Sequence, residues 1–240
     1  PFVQPHHSAS ALAIIGGGYP PSPGAMTQAH GGVLLLDEYL EFDSKVQEAL
    51  REPVEKGSIT ISRRGVSQDF PALFQLVATT NLCPCGDLVP GMAQSCGRSL
   101  RRCRSHLDRL SGPMLDRFDL LIYSHTWNQN RPSDRLSQAD LKKRLAEVHE
   151  FFKTSRPDQA ESHRPNARLT LTELENQLSS KAKELRHLFE HGSQRRTRAL
   201  LRVARTLSDI RQESHISVEA LNEAFDWVAS PFYQLRQAFV

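Results

Sequence analysis

Ala29-His30-Gly31-Gly32-Val33-Leu34-Leu35-Leu36-Asp37-Glu38 is the stretch that decides how this chain is read. Four consecutive apolar residues run straight into two acids, the pattern of a strand buried on both faces of a parallel sheet. In such sheets the sites lie beyond the carboxyl ends of the strands, which is where Asp37 and Glu38 fall. The arrangement suits ATP hydrolysis: Asp37 would hold a magnesium ion, directly or through water, and Glu38 would orient and polarise the attacking water. The dipeptide alone is equally what two surface acids ahead of a helix look like.

The segments on either side narrow the choice. Asp43 can cap a helix on which Phe42, Val46, Ala49 and Leu50 share one face. Residues 57–70 alternate β-branched residues around Arg63-Arg64-Gly65, which predicts a hairpin with two arginines near its tip. Residues 74–80 form a second buried-strand candidate ending at Asn81, a neutral amide suited to positioning water or touching a terminal phosphate. Ser111-Gly112-Pro113 starts a short helix, and residues 118–123 form a third apolar strand. Arg117, between them, is placed to reach a phosphate across a subunit boundary, where an arginine finger can raise rates by orders of magnitude. A local ion pair with Asp116 or Asp119 is the competing role. Upstream, residues 1–32 read as an extended entry, a brief helix over 10–15 and a long irregular insertion rich in Gly and Pro. Strands alternating with helical stretches predict an α/β domain with a parallel sheet.

The polar segment around Pro132 sets the expected boundary, giving a partial α/β core over 1–130 and a helical domain over 131–240. In the second domain helices are predicted over 137–153, 170–191, 193–210 and 217–229. Val203, Ala204, Leu207 and Ile210 form an apolar stripe opposite arginines read mainly as a solvated or interface face. At 240 residues with 39% hydrophobic and 24% charged content, the composition is that of a globular protein rather than a disordered or fibrous one. No apolar run approaches the ~20 residues of a membrane span, so the expected compartment is the cytoplasm. A net charge of +3 does not by itself indicate nucleic acid. Cys83, Cys85, Cys96 and Cys103 cluster, and four thiolates could close a tetrahedral zinc site, although the spacing is not that of a zinc ribbon. Reduced thiols in a structured loop are the alternative. Adjacent His6 and His7 would point to opposite faces of an extended segment, which favours polar packing near the nucleotide over a shared metal.

Taken together, Pro5-His6-His7-Ser8, Gly16-Gly17-Gly18, the stretch 29–38, Ala49-Leu50-Arg51-Glu52-Pro53, Asn81-Leu82-Cys83-Pro84-Cys85-Gly86, residues 111–120 and Ser193-Gln194-Arg195 with residues 201–206 resemble one family. It is the magnesium-chelatase-like AAA+ ATPases of the YifB/ComM group. The resemblance implies an AAA+ P-loop-type parallel sheet core, here incomplete, followed by an all-α lid domain. It makes Asp37 and Glu38 the Walker B acids, Asn81 sensor 1, Arg117 a finger acting in trans and Arg195 the sensor-2 arginine. ATP and Mg2+ follow as cofactors, and a homo-oligomeric ring, a hexamer, as the assembly. The hairpin resembles the presensor-1 insertion, in which Arg63 and Arg64 could contact a DNA backbone.

The chain departs from a complete module. No G-x-x-x-x-G-K-[ST] occurs in it, and Gly16-Gly17-Gly18 is no substitute because no lysine follows. The opening Pro1-Phe2-Val3 suits a segment of a longer protein, and alone the chain is expected to be inactive; a Lon-protease-like domain is likewise missing. The leading expectation is a ring motor that couples ATP hydrolysis to DNA remodelling or translocation, of helicase or branch-migration type, in recombination or natural transformation. The alternatives are a chelatase-type ATPase that remodels a partner protein for metal insertion, and a non-enzymatic zinc-stabilised nucleic-acid-binding module.

Overall fold

In a computed structural model of the chain, the apolar run 33–36 is the middle strand of a three-stranded parallel sheet. The structure describes residues 1–84, 86, 105–106, 108–110, 112–123, 137–162, 164–189 and 193–237. They fall into two units, Pro1–Arg117 and Phe118–Val240.

The first unit runs β1 (Phe2–Val3), α1 (Ala11–Ile15), β2 (Gly16–Gly17), β3 (Ser22–Pro23), α2 (Ala25–Gln28) and β4 (Val33–Leu36). A 3₁₀ turn (Tyr39–Glu41), α3 (Ser44–Ala49), α4 (Arg51–Lys56), β5 (Ser58–Arg63), β6 (Val66–Pro71), β7 (Gln75–Ala78) and α5 (Gly112–Leu115) follow. The sheet order is β1-β4-β7, with Phe2 opposite Val33 and Val33 opposite Gln75. Strand β4 buries Leu34 and Leu36 completely, while Val33 and Leu35 are half-buried; β7 keeps Gln75 and Val77 exposed. The expectation of strands buried on both faces therefore holds for one face of β4 alone, and the inner face of β7, Leu76 and Ala78, is only half-buried. Gly32 permits the close approach that seats β1: a Cβ there would lie 1.8 Å from the Pro1 carbonyl oxygen. That carbonyl accepts from the Val33 N–H at 2.9 Å.

Local signals in the sequence account for the elements around the sheet. The Ser10 side chain caps α1 by accepting from the Ala13 N–H, and Asp43 caps α3 by accepting from the Lys45 N–H. Phe42, Val46 and Leu50 are fully buried. Strands β5 and β6 pair antiparallel from Ser58–Pro71 to Arg63–Val66. The two residues between them, Arg64 and Gly65, both have positive φ, 48° and 81°. That is the backbone of the tight turns whose twist matches a hairpin. Ile59 and Ile61 face inward, while Thr60 and Ser62 on the opposite face bond Asp69 and Ser67. Within the long insertion the chain makes the small β2–β3 hairpin and α2.

The second unit contains α6 (Gln138–Ser155), α7 (Pro157–Glu161), a 3₁₀ turn (Asn166–Arg168), α8 (Leu171–Asn176) and α9 (Ser180–Leu185). A further 3₁₀ turn (Arg186–Phe189), α10 (Gln194–Ile210), α11 (Val218–Val228) and α12 (Ser230–Gln237) complete it. Its core gathers Leu174, Leu178, Leu200, Leu201, Ala204, Leu221 and Val228 from α8 through α11. Three sequence expectations change here. The single helix over 170–191 breaks at Gln177–Ser179, where Leu178 forms a β-bridge with Ile216 and Ser179 caps a new helix. On α10, Ala204 is buried and Val203 and Leu207 pack against this core as expected, but Ile210 is 52% exposed and Arg205 is fully buried. The strand expected over 118–123 does not form. Those residues are held by hydrogen bonds to helical elements of the same unit, Arg196 donating to the Phe118 carbonyl and Tyr123 Oη donating to the Pro231 carbonyl.

Candidate functional site

At the carboxyl end of β4, Asp37 and Glu38 are both exposed, and the chain turns sharply after them. Glu38 has φ 56° and ψ 50°, a left-handed conformation that costs a non-glycine residue roughly 1–2 kcal/mol. The neighbouring strand compensates. Thr79, just past β7, accepts the Glu38 N–H on Oγ1 at 3.1 Å, and its carbonyl accepts the Tyr39 N–H at 2.8 Å. The same hydroxyl donates to Asp37 Oδ1. One threonine thus fixes the backbone of one acid and the carboxylate of the other.

Glu38 has a second partner: its Oε2 lies 3.0 Å from His7 Nδ1, on the segment that follows β1. His6 bonds Ser8 through Nδ1 at 2.7 Å, and its ring lies against that of His7 with centroids 4.2 Å apart, so the two do not point to opposite faces as expected. The two histidines therefore do separate things, and His7 is the one that meets the acids.

Glu38, Glu41, Thr80, Asn81, Cys83, Pro84 and His106 line a common cleft. The Asn81 carbonyl accepts from Thr80 Oγ1 at 3.2 Å and is 3.1 Å from His106 Nε2. Its side-chain amide has no hydrogen-bond partner among the described residues and is exposed. Cys83 is buried; Cys85, Cys96 and Cys103 lie outside the described residues. Among the described residues no three His, Cys, Asp or Glu side chains form a metal-binding group, so nothing there supports zinc. Magnesium is a different case, because it takes one or two carboxylates and completes its shell with water and phosphate oxygens. Asp37, with one oxygen engaged by Thr79 and the other open, fits that requirement.

Arg117 does not pair with Asp116 or Asp119 in the described contacts. Its guanidinium turns inward, 12% exposed, where it ion-pairs with Glu55 of α4 and donates to the Pro113 carbonyl at 2.6 Å. Arg63 and Arg64 are exposed at the hairpin tip, and no carboxylate among the described residues pairs with either. Arg195 belongs to the second unit, in the first turn of α10, whose N-cap is Ser193. Asp119 of that unit sits in the field of Arg202, Arg196 and Arg195, yet burial still pushes its carboxyl above the usual range. Two other arginines of α10 are structural: Arg202 donates to the Leu169 carbonyl, and Arg205 bonds Asp209 and the carbonyls of Glu213 and Ser214. The solvated-face reading fails for both because each is needed to satisfy carbonyls or a carboxylate inside the unit.

A parallel α/β sheet whose middle strand ends in two acids, Glu38 lining a cleft beyond it, is consistent with an AAA+-like core. Comparison with known proteins makes this specific. The model of the family "Magnesium chelatase, subunit ChlI" matches residues 1–131, and that of its C-terminal region matches residues 135–227. The chain belongs to this magnesium-chelatase-like family and matches its YifB/ComM group. It is 37% identical over 244 residues to "Uncharacterized protein YifB" of Salmonella typhimurium and 38% identical over 235 residues to "Competence protein ComM" of Haemophilus influenzae. Each alignment covers 95% of this chain and 45% of the relative, so the chain spans about half the length of the curated proteins it matches. A 100-residue segment is also 34% identical to "Maternal DNA replication licensing factor mcm6" of Xenopus tropicalis. No helix among the described residues is long and apolar enough to cross a membrane.

Proposed function

We propose that this chain is the hydrolytic and nucleic-acid-facing part of a ring-forming AAA+ motor, a homo-hexamer that couples ATP hydrolysis to DNA remodelling or translocation. One observation carries the reading: Asp37 and Glu38 are fixed at a strand end by Thr79, with Glu38 further engaged by His7. In this account the free oxygen of Asp37 holds the magnesium ion. The ion's contribution is to neutralise charge on the transferring phosphate. Glu38, held by His7, orients and polarises the attacking water, and the open amide of Asn81 positions that water or touches the terminal phosphate. Arg195, in the first turn of α10, is the residue we assign to sensing the γ-phosphate. Arg117 serves the nucleotide of a neighbouring copy. Because Glu55 holds its guanidinium in the single chain, reaching that phosphate exchanges one anion for another. The outer edge of β7, unpaired among the described residues, offers a ladder on which a P-loop strand would complete the sheet.

DNA as the track is supported by the two exposed arginines at the hairpin tip, which have no carboxylate partner among the described residues, and by the competence role printed for one relative. The family description favours a second reading, a chelatase-type ATPase acting on a protein partner. Hydrolysis by a protein carrying this segment behind an intact P-loop separates the two. The DNA reading expects the rate to rise several-fold with added DNA. A rate indifferent to DNA would remove that reading and leave the chelatase-type one.

A further inference from the structure

The β2–β3 hairpin lies against β5 so closely that a Cβ on Gly16 would come within 2.6 Å of the Ile61 side chain. This packing sets the tips of two hairpins side by side. From the smaller one projects Tyr19, 63% exposed. From the larger one Arg64 reaches over the Tyr19 ring, its guanidinium carbon 5.6 Å from the ring centroid. Arg63 stands next to it, exposed, and neither arginine has a carboxylate partner among the described residues. An exposed aromatic and two uncompensated guanidiniums have no evident role in the packing of the first unit. A tyrosine flanked by uncompensated positive charge is what a single strand of nucleic acid meets in a stacking site, where any base offers a π-face and the phosphates meet cations.

We infer that Tyr19, Arg63 and Arg64 form one single-strand-binding patch, with a base stacked on the open face of Tyr19 and the flanking phosphates on the two arginines. The patch rests on the nucleic-acid reading of the hairpin and adds to it a base contact and a preference for unpaired strands. A duplex keeps its bases stacked on one another, so only the arginines can engage it.

Binding of this chain to a fluorescein-labelled thymidine oligonucleotide, and to the same strand as a duplex, can be followed by anisotropy over a range of salt. Tyr19→Ala should weaken single-strand binding about tenfold and leave duplex binding unchanged, whereas Tyr19→Phe should bind like wild type. Arg63→Ala with Arg64→Ala should weaken both and flatten the salt dependence by a slope of roughly 1.4 on the single strand and roughly 1.8 on the duplex. If Tyr19→Ala binds the single strand like wild type, or loses single strand and duplex alike, the stacking site is wrong while the hairpin reading stands. If the double arginine variant also binds unchanged, or wild type binds neither probe, both readings fail.

Discussion

Thr79 is the residue on which the acids depend, because its hydroxyl accepts from the Glu38 backbone and donates to Asp37 at once. Valine has the same shape and can do neither. In a protein with an intact P-loop, Thr79→Val should lower the turnover number by about 10²-fold, the scale of a small misplacement of reacting groups. Nucleotide affinity should change little; an unchanged turnover number would mean that the acids hold themselves. The sequence made Asp37, Glu38 and Asn81 legible because strand ends carry the chemistry of parallel sheets. It did not make Thr79 legible. A threonine before Thr80-Asn81 looks like ordinary β-branched strand composition, and its role exists only because β7 lies in register beside β4. His7 was placed near the nucleotide pocket by its neighbourhood, but its pairing with Glu38 follows from where β1 enters the sheet. Arg117 shows the same limit: its partner Glu55 is remote in sequence, whereas the candidates visible in sequence were adjacent.

Among the elements, those with strong local signals emerged where the sequence put them. Ser10, Asp43, Ser137, Ser193 and Ser217 each cap the helix expected after them, and Arg64-Gly65 turns the hairpin. The helix expected over 170–191 broke because Leu178 and Ile216 pair across the unit, a tertiary contact that outweighs helix propensity at Gln177–Ser179. The capping box that starts α8 gives an acid-sensitivity prediction. Glu173 accepts from the Thr170 hydroxyl and backbone N–H, and Arg164 adds an ion pair. Its carboxyl is held down from 4.5 to about 2, chiefly by the Thr170 hydroxyl. A depressed carboxyl stabilises the fold fully above its unfolded pKa, near 4.3, and loses that contribution as pH falls through the folded value. Glu173→Gln should therefore melt at a lower temperature than wild type at neutral pH, with the gap closing as pH approaches about 2. A gap that stays constant across that range would show that the carboxylate charge is not what starts α8.

For the whole molecule, the alternation of strands and helices was enough to specify a parallel α/β sheet, and the paired acids fall, as expected, at the carboxyl end of its middle strand. The end of the core was harder to read. Residues 118–123 have the apolar composition of a strand, yet their hydrogen bonds run to Arg196 and Pro231, and composition alone cannot tell a strand from a segment tied down by helices. The motor account makes Glu38 the group that activates water, with binding left to other parts of the site. The most direct measurement is Glu38→Gln in a protein carrying this segment behind its P-loop, with bound ATP and turnover measured on the same preparation. The account predicts that ATP is retained while hydrolysis falls by about 10²–10⁴-fold, the usual reach of a general base. Hydrolysis within about twofold of wild type, well short of that range, would contradict it.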